Sequence, residues 1–187
     1  MPAIIWIIIA VVVLVLLVLW ATYNALVKLN ERVNEAWSDI TVQLKYRADL
    51  IPNVIESVKG YAKHESGVFE SVTKARASVL GAKDNVKAAA AAESSMNRAL
   101  GGLFAVAESY PQLKANEAFV DLQGKLQVSE DKIQAARRFY NSGVKDLNIK
   151  TKIFPSNFFA NMLGFKERDF FEVENREELD KAPEVKF

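Results

Sequence analysis

From residue 3 to residue 21 the chain is one unbroken apolar run, AIIWIIIAVVVLVLLVLWA, with no charge, no glycine and no proline. As a helix it reaches about 28 Å, close to the ~30 Å hydrocarbon core of a bilayer. Trp6 stands near one end, with Trp20 and Tyr23 at the other, where an interfacial aromatic belt belongs. No basic residue precedes the run and no small-residue cleavage site follows it, so residues 1–22 read as an uncleaved membrane anchor rather than a secretory signal.

Past the anchor the apolar residues recur every three or four positions, the period of a helix with one buried stripe. Leu26, Val33, Trp37, Ile40 and Leu44 mark a first helix over about 23–50. Ile55, Val58, Ala62, Phe69, Val72 and Val79 mark a second over about 53–81. The turn-forming GAKDN separates it from a third at about 86–109, opened by an alanine-rich stretch of high helix propensity. Gly101-Gly102 weakens the middle of that helix. Pro111 stops it, since the residue before a proline is pushed out of the α region. The fourth, about 113–152, carries the cleanest stripe: Phe119, Leu126, Ile133, Tyr140, Val144 and Leu147. No segment alternates at period two, so strands are not expected. Successive stripes joined by short connections bury against one another as antiparallel neighbours. The expected fold is all-α: an N-terminal transmembrane helix continuing into an antiparallel up-down four-helix bundle over 23–153.

Pro52 interrupts this reading. As an interior residue it would cost ~3 kcal/mol or more through a lost hydrogen bond and a ring clash. As a first-turn residue of a new helix it costs little. The turn, with Asp49 as a candidate cap, gives bundle helices of similar length and is the expectation adopted here. The alternative, one kinked helix running on through Pro52, accounts for an apolar phase that passes the proline unbroken and would leave three helices.

Charge and chemistry narrow the function. Of the 187 residues, none is cysteine, which excludes disulfides, thiolate catalysis and cysteine-bound zinc. Formal net charge is +1 with both signs interleaved, so a nucleic-acid partner is not expected. Lys28, Arg32, Lys45 and Arg47 follow the apolar run, which by the positive-inside rule puts the bundle in the cytoplasm and a short N-terminal stub outside, a single-pass topology. His64 is the sole histidine and lacks the second histidine of a zinc-protease helix. The Glu-x-x-His pairs of a di-iron bundle are missing too. No enzyme, metal or cofactor is expected.

Several stretches, YNALVKLNERVNEAWSDITVQLKYRADLIPNVIESVKGYAKHE, AESYPQLKANEAFVDLQGKL, RRFYNSGVKDLN and FPSNFFANMLGF, together resemble the LemA family of bacterial membrane proteins. The likeness runs from the anchor to about Phe171. It implies an N-terminal membrane helix and an antiparallel helical bundle with no established biochemical activity. It also implies links to magnetosome membranes in one branch and to neighbouring membrane proteases. Gly101-Gly102 departs from the family, which tends to carry bulkier helix formers there.

An even number of helices returns the chain toward the membrane. The Phe-rich segment 154–171 would begin there, with Phe154, Phe158, Phe159, Phe165, Phe170 and Phe171 as a contact patch for lipid or another membrane protein. The alternative is a cap packed on the base of the bundle. Asn24 and Asn141, in similar sequence contexts, are expected to fix the helix ends, with Trp37 as a core anchor and Pro52 and Pro111 as structural breaks. The highly charged stretch 172–187 reads as a solvated tail. The chain is thus expected to be a membrane-anchored, non-catalytic scaffold presenting a helical bundle for protein–protein interaction. Its expected partners are membrane lipid, other membrane proteins or a second copy of itself. The alternative is a regulatory adaptor for a membrane complex such as a membrane protease.

Overall fold

A computed structural model describes residues 2–82 and 84–172; most of the charged tail, residues 173–187, lies outside the described residues. The fold is all-α as expected, with no strand among the described residues. Among the described residues six helices follow in order: α1 (Pro2–Lys59), α2 (Ser66–Gly81), α3 (Val86–Glu108), the single turn α4 (Pro111–Lys114), α5 (Glu117–Lys152) and α6 (Ser156–Met162). They form two compact units: Met1–Trp37 with Phe139–Asp169, and Ser38–Arg138 with Phe170–Phe187.

The first unit joins the apolar run to an antiparallel helix pair. Val33 of α1 faces Gly143 of α5, where a Cβ would stand only 3.3 Å from the valine Cγ2. Trp37 and Tyr140 meet at a ring separation of 5.7 Å. Leu26, Val33, Ala36, Tyr140, Val144 and Leu147 fill the interior. None of the most apolar stretch of α1 is buried inside the protein. A core helix of a water-soluble protein would be covered; this one leaves its apolar run exposed, as a candidate membrane span does.

The second unit is a four-helix bundle of α1, α2, α3 and α5. Ile40, Ile51, Val58, Val72, Met96, Leu103 and Ile133 line its core. Asn85 caps α3 by accepting a 2.9 Å bond from the Ala88 amide, and Asn116 caps α5 by accepting from Phe119 at 3.1 Å. Pro111 opens α4 at its first position, where its missing N–H costs nothing. α3 runs through Gly101-Gly102 without a break.

The expected boundary at residues 50–53 is corrected. α1 contains Pro52 and continues to Lys59, with the break at residues 60–65. Two features tolerate the proline. It lies exposed on the outer face of the helix, and the carbonyl it deprives of a partner, that of Ala48, accepts a 2.8 Å bond from Arg76 Nε of α2. The bundle keeps four helices because the end of the first moved from about residue 50 to Lys59 instead of vanishing.

Candidate functional site: an aromatic face beside the apolar span

α5 ends in a corner built from Ser156. Its hydroxyl donates at 2.7 Å to the Lys150 carbonyl in the last turn of α5 and lies 3.0 Å from the Ile153 carbonyl, which also accepts from the Asn157 amide at 2.8 Å. The corner folds α6 back with a reversed polarity. Ser156 and Ala160, one turn apart, are buried, while Phe158 and Met162, also one turn apart, are 67% and 62% exposed. Phe154 at the corner is 87% exposed, and Ile153 and Leu163 extend the same surface. Small and polar residues therefore point inward and large apolar ones outward, the opposite of a helix facing water.

The C-terminal end of this segment is tied to α1 and α5. Phe165 packs edge-on against Tyr23 at 6.4 Å. The Asn148 side chain exchanges two hydrogen bonds with the Arg168 backbone, donating to its carbonyl and accepting from its amide, each at 2.9 Å. The Arg168 guanidinium donates to Asn30 and Asn34 of α1 at 3.0 and 3.1 Å. Tyr140 donates its hydroxyl to the Asp169 carbonyl at 3.0 Å. Burial pushes the Tyr140 phenol above its ordinary range; the nearby Arg168 charge opposes this and Asp169 adds to it.

The structure divides the six phenylalanines expected to form one patch. Phe154 and Phe158 are exposed, and Phe159 and Phe165 half-buried. Phe171 is fully buried, with the Arg137 guanidinium 5.3 Å from its ring centre, so it has no surface to offer and leaves the patch. Phe170 and Phe171 also belong to the second unit, not to the one that holds α6. Trp6, Trp20 and Tyr23 are exposed along α1. Trp37 is half-buried against Tyr140, and Asn24 and Asn141 are half-buried on α1 and α5. Asn148, Asn30 and Asn34, which the sequence reading did not single out, bond to Arg168 after α6. An asparagine at position 148, in phase with the apolar stripe of α5, was the available signal.

A second polar feature lies in the bundle of the other unit. Arg47 of α1 donates to Glu130 of α5 at 2.6 Å and stands 3.8 Å from Glu93 of α3, which is fully buried. Asn97 donates to Glu93 Oε1 at 2.8 Å, and Gln134 donates to Glu130 at 2.6 Å. Burial, then the charge of Glu130, pushes the Glu93 carboxyl above its ordinary range, against the Asn97 bond and the charges of Arg137 and Arg47. Glu93 Oε2, Arg47 Nε and Ser129 Oγ are buried without a hydrogen-bond partner. Among the described residues no three His, Cys, Asp or Glu side chains gather as a metal cluster, and His64 is exposed in the turn after α1.

An all-helical chain whose first helix carries one exposed apolar span, among the described residues, defines the class: a helical-bundle protein with a candidate N-terminal membrane helix. The chain belongs to the LemA family, whose model matches residues 36–187. It is similar to the magnetosome proteins MamQ 1 and MamQ 2 of Paramagnetospirillum magneticum, each 25% identical over 175 residues, covering 80% of this chain and 64% of theirs. It is also similar to protein LemA of Metamycoplasma hominis, 24% identical over 157 residues, covering 84% of this chain and 72% of that one. The chain thus spans 64% of the length of the MamQ proteins it matches. None of these names assigns a reaction.

Proposed function

We propose that the chain is a membrane-anchored, non-catalytic scaffold, held in the bacterial inner membrane by the first part of α1 and presenting a helical bundle to partner proteins. The observation that carries this reading is the continuity of α1. The same helix that leaves its apolar run uncovered buries residues from Thr22 onward and meets α5 at Val33 and Trp37, so apolar run and folded body share one backbone. Lys28 and Arg32 beyond the span favour a cytoplasmic bundle. The names of the magnetosome relatives fit a role at a membrane. Its partners on this reading are membrane lipid and other membrane proteins, a second copy of the chain included.

Photo-crosslinking residues placed at the exposed apolar positions Val42, Val120 and Val128 test the reading in intact cells. Discrete adducts are expected in intact cells and not when the membrane is dissolved in detergent before irradiation. A protein that crosslinks to nothing at any of the three sites is no scaffold. Labelling a cysteine introduced at Val42, in whole against lysed cells, tests the side of the membrane.

A second reading, an adaptor whose bundle answers a signal, draws on the unpartnered buried atoms of Glu93 and Arg47. Thermal shifts with metal and metabolite pools separate the two, since a pure scaffold responds to neither.

A further inference from the structure

We propose that the α5–α6 corner is a second membrane contact, with Phe154, Phe158, Met162 and Leu163 seated in the headgroup region of the bilayer that α1 crosses. The proposal rests on the anchor reading above and adds a site to it.

Register places the corner. Val33 and Gly143 lie face to face in an antiparallel pair. Lys152, the last residue of α5 and nine past Gly143, therefore falls level with Asn24, nine before Val33. Phe154 lies beyond it, toward the span. The Tyr23–Phe165 contact fixes the same level independently, from the other end of α6. Burial along α1 agrees: Trp20 is 67% exposed and Thr22 only 8%, so the folded cover begins where the apolar run stops. Each polar headgroup layer is ~5–8 Å deep outside the hydrocarbon core. Residues level with positions 22–24 stand within that layer if the span fills the core.

The chemistry names the occupant. A cap facing water would turn Phe158 and Met162 inward; here Ser156 and Ala160 take the inward positions. Exposed aromatic and long aliphatic side chains at this depth match interfacial insertion, in which an apolar face sinks ~5–10 Å into the headgroup and acyl boundary. Lys150 and Lys166 lie within four residues of the face along the chain, and with Lys152, paired with Glu167 at 2.9 Å, they supply cations of the kind that lipid phosphates attract.

The absence of cysteine makes the test direct, because one introduced thiol is the only labelling site. The full chain carrying Phe158→Cys, Val12→Cys or Ser142→Cys is labelled with an environment-sensitive dye and reconstituted in phosphatidylcholine–phosphatidylglycerol vesicles. Spin-labelled lipids then act as quenchers at two depths. Ser142 is exposed on α5, ten residues or about 15 Å before its end, and serves as the aqueous reference. The dye at position 158 is expected to be blue-shifted relative to position 142 and quenched by shallow spin labels, while position 12 is quenched by deep ones. Quenching at 12 with none at 158 overturns the corner contact and leaves the anchor standing. Loss of quenching at both sites overturns the two together. A blue shift at 158 without lipid quenching means that a second copy covers the face, and that too overturns the proposal.

Discussion

The Ala48 carbonyl accepts a hydrogen bond from Arg76 Nε at 2.8 Å, replacing the one that Pro52, four residues on, cannot donate. A buried carbonyl left empty costs ~1–3 kcal/mol, and a bond to a charged donor returns ~1.5–3 kcal/mol. The substitution Arg76→Leu is therefore expected to lower stability by ~2 kcal/mol. The diagnostic is a double-mutant cycle. In a Pro52→Ala background the helical amide reclaims Ala48, and Arg76→Leu should cost clearly less, a coupling of ~1 kcal/mol or more. Equal costs in the two backgrounds would mean that Arg76 does not replace the lost bond.

Glu93 gives the second unit a pH dependence of defined sign. Its folded carboxyl titrates above the ordinary value of 4.5, burial being the leading cause and Glu130 the next. Between the ordinary value and the raised one, the unfolded chain has released this proton and the folded chain still holds it. Stability contributed here is complete below the ordinary value and is lost as pH rises through the folded one. Glu93→Gln keeps an acceptor for Asn97 and removes the titration. Denaturation midpoints measured from pH 4 to pH 8 should show a shallower decline for the variant than for the natural chain. Parallel pH profiles would exclude Glu93 as the source.

α3 carries two adjacent glycines that its packing does not require. A Cβ at Gly101 or Gly102 would meet nothing within 4 Å, both positions are exposed, and both are helical. Each Gly→Ala change removes conformational freedom from the unfolded chain and should stabilise by about 0.5–1 kcal/mol. A thermal melt of the double variant is expected to shift upward; a downward shift would show that something needs the bare backbone there.

Much of this architecture was legible because apolar spacing reports burial directly. The run at residues 3–21, the stripe of α5 and the break between α2 and α3 each follow from local pattern. The end of α1 did not. Proline chemistry argues locally for a break at residue 52, whereas Arg76, distant in sequence, supplies the bond that lets the helix pass. The real break at residues 60–65 carries Gly60 and a run of polar residues, a weaker signal than proline. The aromatic segment was legible as composition only. Which phenylalanines face outward depends on the Ser156 corner, and Phe171 is taken inward beside Arg137. The cluster around Glu93 was invisible, since a glutamate in an alanine-rich helix looks solvated until its neighbours are known.

Asn148 and Arg168 hold the segment after α6 by a paired amide contact, and its loss should be local before it is global. Asn148 is 8% exposed, so Asn148→Leu keeps the packing volume but orphans the Arg168 amide and carbonyl together. Leaving two such groups unpaired is worth ~2 kcal/mol or more. The Arg168 guanidinium still reaches Asn30 and Asn34, and Tyr140 still donates to Asp169, so the segment should loosen rather than detach. Amide exchange at residues 165–169 is expected to speed up while exchange in α3 stays at its natural rate. Arg168→Ala spares the backbone pair and removes only the guanidinium bonds, so it should have the smaller effect. If Arg168→Ala proves the more damaging of the two, the segment is held by its charged side chain and not by the Asn148 clamp.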